Sequence, residues 1–425
     1  MKIVKVNSDN YKALVEKMLN RGEDSFDKID EIVSEIITDV RLHGDNALIK
    51  YTEKFDNVKI TNLKVSLDEI DEAVKEVGED FIRILKKAKD NIYSYHQKQV
   101  EKSWITNEGE SSMLGQIVTP IERVGIYVPG GKAAYPSTVL MDSVPAIVAG
   151  VKSIAMVTPP QANGSVNPYI LAAAYVAGVS EIYKIGGAQA IAALAYGTKT
   201  IKPAFKIVGP GNIFVARAKR MVYGKVGIDM IAGPSEICII AEDGDEKLIA
   251  ADLLSQAEHD EMAASVLVTT SKDLAQRVSD EVEVQIKRLP KCEMAKSAIE
   301  NQSAIFLVET LDEAFEVVNQ VAPEHLEVMI DNPFEYLPKI KNAGAIFLGR
   351  YSPEPLGDYF AGPNHTLPTS GTARFSSPLG VQDYVKKSSL IYYSKEDLSK
   401  VKDDIVTFAE NEGLTAHANS IRVRF

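Results

Sequence analysis

From about residue 105 to about residue 350 the chain repeats one pattern: a short β-rich run, a glycine or proline turn, then a stretch with helical periodicity. The runs "RVGIYVPGG", "SIAMVTPP", "EIYKIGG", "FKIVGPGN" and "IDMIAGPSE" alternate with helical segments such as "PYILAAAYVAG" and "AQAIAALAYG". A strand that returns to its sheet through a helix pairs in parallel, because a tight hairpin can only reverse the chain. A second series follows with "EICIIA", "AASVLVTT", "SAIFLV" and "NAGAIFLG", again with helices between. Two α/β layers in tandem are expected, over residues 105–237 and 238–380.

The flanks break the pattern. Residues 1–104 read as a helical region. In "SFDKIDEIVSEIITDV", Ile29, Ile32, Val33, Ile36, Ile37 and Val40 recur at helical spacing behind two candidate caps, Ser25 and Asp27. Ser66 and Glu69 then stand at capping-box spacing before a charged helical stretch. Residues 381–425 hold no complete strand-helix unit and read as an extension that docks on something, a second subunit being one platform for it.

Composition narrows the function. Apolar residues make up 45% and charged residues 25%, as in ordinary globular proteins. A net charge of −12 with no basic cluster argues against a nucleic-acid partner. The start "MKIVKVNSDNYKALVEK" lacks an apolar signal core, and Pro145, Lys152 and Pro159 interrupt the most hydrophobic stretches, so a cytoplasmic protein without membrane contact is expected. Cys238 and Cys292 form no metal-binding or redox spacing, and Cys238 inside "EICIIA" reads as a buried, inert thiol.

The glycine turns match no nucleotide fingerprint. "GPGN" at 209–212 follows a strand, but the dinucleotide motif needs glycine at 214, where Phe214 stands. "GGK" at 130–132 is not followed by serine or threonine, so it is no Walker loop. What these turns do supply is small residues at the carboxyl ends of parallel strands, where open α/β sheets bind ligands.

The six histidines say more. His43 sits at a helix end and His96 in a polar helical stretch, and both read as structural or solvated. The other four, His259, His325, His365 and His417, each lie beside carboxylates or turn residues. In "DLLSQAEHDEM", Gln256 and His259 are three apart and share a face if the segment is helical. With Asp358 of "PLGDYFAGP" and His417 from the tail they would form a sulfur-free ligand set suited to a divalent metal. Asp252, Glu258, Asp260 and Glu261 could equally mark a solvated face, and spacing alone leaves both readings open. In "PEHLE", Glu324 and His325 are neighbours, which on a regular strand would point to opposite faces; an irregular turn after Pro323 would let both flank one substrate.

Taken together, "VPGGKAAYPSTVLM", "VGPGNIFVARAKR", "IDMIAGPSE", "DLLSQAEHD", "APEHLEV", "LGDYFAGPNHTLPTSGTARFSSPL" and "EGLTAHANSIRVR" closely resemble the histidinol dehydrogenase family over nearly the whole chain. The resemblance implies two tandem Rossmann-like α/β/α domains of the aldehyde-dehydrogenase-like kind. It implies two successive NAD-dependent oxidations of L-histidinol, through L-histidinal to L-histidine, with one zinc ion per subunit. Carried over motif by motif, Gln256, His259, Asp358 and His417 would hold the zinc, and Glu324 and His325 would be the acid/base pair. Ser235, His365 and Glu412 would contact substrate together with those ligands and His325. Tyr127, Gln189 and Asn212 would lie near the nucleotide. The resemblance also implies a homodimer whose C-terminal segment brings Glu412 and His417 into the other subunit's site.

The implied chemistry assigns roles. Hydride transfer to a nicotinamide needs a deprotonated oxygen pushing electrons toward it, and histidine suits that proton work near neutrality. His325 is therefore expected to take the alcohol proton and Glu324 to activate the water that adds to the aldehyde. The zinc, keeping about one net positive charge among these ligands, is expected to orient the imidazole and amine of histidinol. A dehydrogenase for another small alcohol and a noncatalytic metal-binding protein are the competing readings; the substrate-side set Ser235, His365 and Glu412 argues against the first, the intact acid/base and ligand residues against the second.

Overall fold

A computed structural model describes residues 1–6, 9–19, 21, 26–109, 111–130 and 134–425. Ser25 and the Lys132 of the "GGK" turn lie outside the described residues. The strands in chain order are β1 (Lys2–Lys5), β2 (Trp104–Asn107), β3 (Met113–Pro120), β4 (Arg123–Tyr127), β5 (Ser153–Thr158), β6 (Glu181–Lys184) and β7 (Lys206–Val208). They continue with β8 (Gly227–Ile228), β9 (Glu236–Ala241), β10 (Ala264–Thr269), β11 (Ala304–Leu307), β12 (His325–Met329), β13 (Ala345–Leu348) and β14 (Val385–Tyr392).

Both expected parallel sheets are present. The first has five strands in the order β6-β5-β4-β7-β8, and the second has six in the order β1-β11-β10-β9-β12-β13. Their central strands are buried along their whole length, as in "RVGIY", "EICIIA" and "ASVLVT", because helices cover both faces. On one face of the first sheet lie the helices Pro136–Ala149, Pro168–Ala177 and Leu67–Gln97; Asp27–His43, Asp45–Asp56, Gly187–Tyr196 and Ile213–Val222 cover the other. In Asp27–His43 the apolar stripe buries Val33, Ile36, Ile37 and Val40, each worth roughly 1.5–3 kcal/mol relative to exposure, while Ile32 faces out. Ser66 forms the capping box with Glu69: its Oγ accepts from the Glu69 N–H at 3.2 Å, and the Glu69 carboxylate accepts from the Ser66 N–H at 2.9 Å.

The flanks depart from the sequence reading. The N-terminal region is not wholly helical, since β1 pairs in parallel with β11 at the edge of the second sheet, Lys2 opposite Ala304. "KIVK" is only four residues long with a lysine at each end, too short and too mixed to announce a strand. A third sheet, order β14-β3-β2, is antiparallel. Its strand β14 comes from the C-terminal extension and pairs with β3 from Val385 opposite Pro120 to Tyr392 opposite Met113. The extension thus docks first on its own chain. It then forms two helices, Lys395–Asn411 and Thr415–Arg422, whose buried residues are only Asp397, Ala409 and Ala418. Asp397 fixes the base of this pair by accepting from the Ser112 hydroxyl at 2.7 Å and the Ser111 N–H at 3.0 Å. Among the described residues no helix is long and apolar enough to cross a membrane.

Candidate active site

The "PEHLE" segment resolves the geometry its sequence left open. Ala322 adopts a left-handed conformation (φ 50°) that ends the preceding helix Leu311–Val321, so Glu324 lies in the bend before β12 and His325 is the strand's first residue. Both side chains are buried and converge on one place. The strand next door holds them: the Glu236 N–H donates to the Glu324 carboxylate at 2.9 Å, and the His325 Nδ1 lies 2.9 Å from the Glu236 carbonyl. A carbonyl can only accept, so Nδ1 carries the proton and, in the neutral ring, Nε2 has the free lone pair. That Nε2 is buried with no hydrogen-bond partner among the described residues and points at the Asp358 carboxylate, 3.7 Å away.

Burial pushes the Glu324 carboxyl up to about 7 against the pull of His325, which lets it hold or release a proton near neutrality. For His325 burial works against charge, but Glu324 and Asp358 outweigh it and raise the ring to about 10. Burial would also raise Asp358; the neighbouring His325 ring, 3.7 Å away, and the field of His365 overcome this and hold it well below the usual carboxylate range. Asp358 is placed by a helical turn over Glu354–Ala361. Gly357 must be glycine there for reasons of space, since the Phe347 ring lies 2.6 Å from where a Cβ would stand.

One turn before Asp358, and missed in the sequence, Glu354 enters the same place. Its ligand atoms, with those of His325 and Asp358, lie within 4.8 Å of one another and could hold a metal ion. Behind it, the Ser255 hydroxyl donates to Glu354 at 3.1 Å, and the Glu354 N–H donates to Glu327 at 2.7 Å. Burial lifts Glu354 and Glu327 to about 8, so they are protonated neighbours of Asp358 rather than a second and third negative charge. The spacing of Glu354 and Asp358, four apart, was the available signal, but it is helical only because of a short turn between prolines and glycines.

Gln256 and His259 are not on one helix as expected. The helix Glu246–Ala257 ends between them, and His259 sits in the following turn, its N–H donating to the Gln256 carbonyl at 3.2 Å. The turn keeps nearly helical backbone at Glu258. Gln256 is 1% exposed, and its Oε1 has no hydrogen-bond partner among the described residues. A buried amide oxygen left bare is costly unless something else binds it. His259 presents its ring at the surface, yet crowding lowers its pKa, with Asp358 opposing that shift. A bare amide oxygen, a neutral imidazole and an ionised carboxylate are donors that suit a divalent cation.

His365 is half-buried and lies within the electrostatic reach of Asp358, His325 and His259, with burial lowering its pKa. Its Nε2 is 3.3 Å from the Thr138 hydroxyl, in the first turn of the helix after β4, so His365 bridges the two parallel-sheet units. His325, Asp358 and His365 open onto a cavity of about 720 Å³ walled by Phe334, Ile346, Phe347 and Leu356. Ser235 is half-buried one residue ahead of β9, its carbonyl accepting from the Ala264 N–H at 3.0 Å. Glu412 and His417 stand on the exposed C-terminal helices, and neither lines this cavity. Within a single chain the structure does not bring them to the other six site residues of the metal and substrate set.

The remaining three candidates gather at the carboxyl ends of the first sheet. Tyr127 ends β4, is buried, and its hydroxyl accepts from the Gly187 N–H at 3.1 Å. Gln189, in the first turn of the helix after β6, is 1% exposed, and its Oε1 has no hydrogen-bond partner among the described residues. Asn212 caps the helix after β7, its Oδ1 accepting from the Phe214 and Val215 N–H groups, so its side-chain oxygen already has a structural task. Gly209 beside it has φ 111°, and a Cβ there would lie 2.2 Å from the Tyr127 carbonyl.

Residues 19–425 match the family described as histidinol dehydrogenase. A curated histidinol dehydrogenase from Clostridium acetobutylicum is 59% identical over 399 residues, covering 94% of this chain and 93% of that protein. One from Geobacter sulfurreducens is 51% identical over the whole of both chains. The chain belongs to the histidinol dehydrogenase family. A crystal structure of histidinol dehydrogenase from Elizabethkingia anophelis superposes with a TM-score of 0.94 at 39% identity, over 100% of this chain and 98% of that one. Members of this family are oxidoreductases, and the parallel-sheet α/β architecture read from the sequence is theirs.

Proposed function

We propose that this protein oxidises L-histidinol to L-histidine with two NAD⁺, as the last steps of histidine biosynthesis in the cytoplasm. The observation that carries the reading is the buried Glu324–His325 pair, with the His325 Nε2 free and aimed into a cavity beside Asp358 and His365. In the first oxidation His325 takes the alcohol proton at Nε2, while the carbon-bound hydrogen leaves as hydride to the nicotinamide. In the second, Glu324 takes a proton from the water that adds to the aldehyde, and the hydrate gives up its hydride to a second NAD⁺. The first step yields one NADH and one proton; the second yields one NADH and, with the product carboxyl ionised, two protons.

Gln256, His259 and Asp358 are the residues of this chain that would hold zinc, joined by His417 from a second copy; a bound zinc would supply positive charge that orients the substrate's imidazole and amine. Without a cation His325 keeps its proton to about 10, and engaging Asp358 removes one of the carboxylate fields that hold it there, the others being those of Glu324 and Glu354. Tyr127, Gln189 and Asn212 would border the nucleotide; Ser235, His365 and the second copy's Glu412 would complete the substrate pocket. The C-terminal helices, anchored at Asp397 and burying only Ala409 and Ala418 beyond it, support a homodimer that shares its sites.

The test is the number of NADH molecules formed per L-histidinol consumed, with and without a zinc chelator. The proposal expects two, lost on chelation and restored by zinc. One or none would overturn the double oxidation.

A further inference from the structure

Behind the acid/base pair lies a buried charge that no step above uses. Glu236 opens β9 and touches both catalytic residues through its backbone, its N–H donating to Glu324 at 2.9 Å and its carbonyl accepting from His325 at 2.9 Å. Its side chain turns back on the same segment: Oε2 accepts from the Glu324 N–H at 3.3 Å, and Oε1 accepts from the Ser370 N–H at 3.1 Å. The two glutamates therefore hold each other reciprocally, backbone to carboxylate in both directions. A carboxylate so deeply buried needs a cation, and it has one from an unexpected place. Arg21, just past the N-terminal helix Asp9–Leu19, reaches in and pairs with the Glu236 Oε1. Its own guanidinium is buried and is steadied by Nε donating to the Met18 carbonyl at 3.0 Å. The helix that carries it is fixed to the second unit by the Tyr11 hydroxyl, which donates to Gln320 at 2.7 Å.

We propose that Arg21 and Glu236 are positioning residues for the Glu324–His325 pair, through which the N-terminal segment sets the geometry of both oxidations. This rests on the acid/base reading above. Neither residue lines the cavity that holds His325 and Asp358, and each acts through the contacts of Glu236 with Glu324 and His325. Their effect is on where the peptide between 324 and 325 sits and on which carboxyl keeps the negative charge. Taking Arg21 away leaves Glu236 and Glu324 facing each other without the guanidinium, and one carboxylate must move or take up a proton. Either response shifts the Glu324 oxygens that should meet water and the carbonyl that orients His325.

The experiment compares the parent with Arg21→Met, Arg21→Lys, Arg21→Ala and Glu236→Gln, measuring histidinol and histidinal oxidation separately, zinc content and melting temperature. Misplacing a catalytic group by about 1 Å costs on the order of a hundredfold, so kcat for both oxidations in Arg21→Met should fall by about tenfold to a hundredfold. Zinc content and KM for NAD⁺ should hold, Arg21→Lys should recover part of the loss, and added guanidinium should restore Arg21→Ala but not Glu236→Gln. The double variant Arg21→Met with Glu236→Gln should be no worse than the worse single, as expected of two groups acting as a unit. A folded Arg21→Met whose kcat stays within about twofold of the parent for both oxidations overturns the proposal. If that variant does not fold, Glu236→Gln, which keeps the bonds of the residue's own N–H and carbonyl to Glu324 and His325 while giving up one side-chain acceptor, decides by the same criterion. A parent that makes no NADH from histidinol overturns the functional reading and this inference with it; an active parent with unaffected variants overturns the inference alone.

Discussion

The two parallel sheets turn opposite ends toward their candidate ligands. The first presents its carboxyl ends, with Tyr127 closing β4, Gln189 after β6 and the Gly209 turn after β7. The second presents its amino ends, with Ser235 ahead of β9, and Glu324 and His325 at the start of β12. At carboxyl ends the chain passes through glycine turns into helix N-termini, which offer backbone N–H groups and a favourable dipole to an extended anionic ligand. At the amino ends of the second sheet the working parts are buried side chains whose protonation is set by neighbours. On the proposed reading, one sheet would supply a surface to lie on and the other would supply proton chemistry.

Four substitutions sharpen or break this division. The largest effect is expected from His325→Asn, which keeps a donor toward the Glu236 carbonyl but removes the base: histidinol oxidation should fall by about 10²–10⁴-fold with KM for NAD⁺ unchanged, and an unimpaired rate would end the base assignment. Next, Gln256→Ala should lower zinc content and histidinol affinity together, by about 10–100-fold as for other residues that support a metal; zinc lost while histidinol affinity holds would refute the orienting role. Gly209→Ala forces a left-handed residue against the Tyr127 carbonyl and should cost about 1–3 kcal/mol of stability and raise KM for NAD⁺, leaving the ratio of the two oxidations alone. A changed ratio would show that the sheets are not separate in function.

The smallest effect concerns Asp56, which ends the helix Asp45–Asp56 and whose charge is felt at the Tyr127 hydroxyl. Burial raises its carboxyl from 3.8 to about 6. An acid whose folded pKa is raised is favoured in its protonated form, so the stability it contributes is present below about 4 and lost as pH rises through 6. Asp56→Asn should therefore match the parent near pH 4 and gain on it by pH 7, by about half a kcal/mol once solvent screening of a half-exposed group is allowed for. Equal melting temperatures at both pH values would contradict it.

Much of this arrangement was legible because it is local. Alternation of apolar runs with helices marked both parallel sheets, and the capping box at Ser66 needed only four residues to be read. The resemblance picked out Glu324, His325 and Asp358, which the structure brings together. What escaped depends on residues far apart in sequence. Trp104–Asn107 is exposed along its length, so β2 carries no burial pattern, and the antiparallel sheet exists only because β14 returns to β3. Glu236 is an ordinary acid in "GPSEICIIA" until β12 is laid beside it, and Arg21 is an ordinary surface-type residue until its helix docks. Glu412 and His417 remain on the outer helices of a single chain.

The edge pairing of β1 with β11 has a consequence for how the molecule is made. Residues 2–5 are synthesised long before their partners, 304–307, whereas the first sheet runs over the contiguous span from 123 to 228. The first sheet can close while the chain is still being synthesised; the second cannot pair β1 until β11 at 304–307 exists and is not complete until β13 at 345–348. Non-local pairing of this kind is slow, and an unpaired strand edge left waiting is open to wrong partners. The short, lysine-flanked form of β1 keeps that waiting segment soluble.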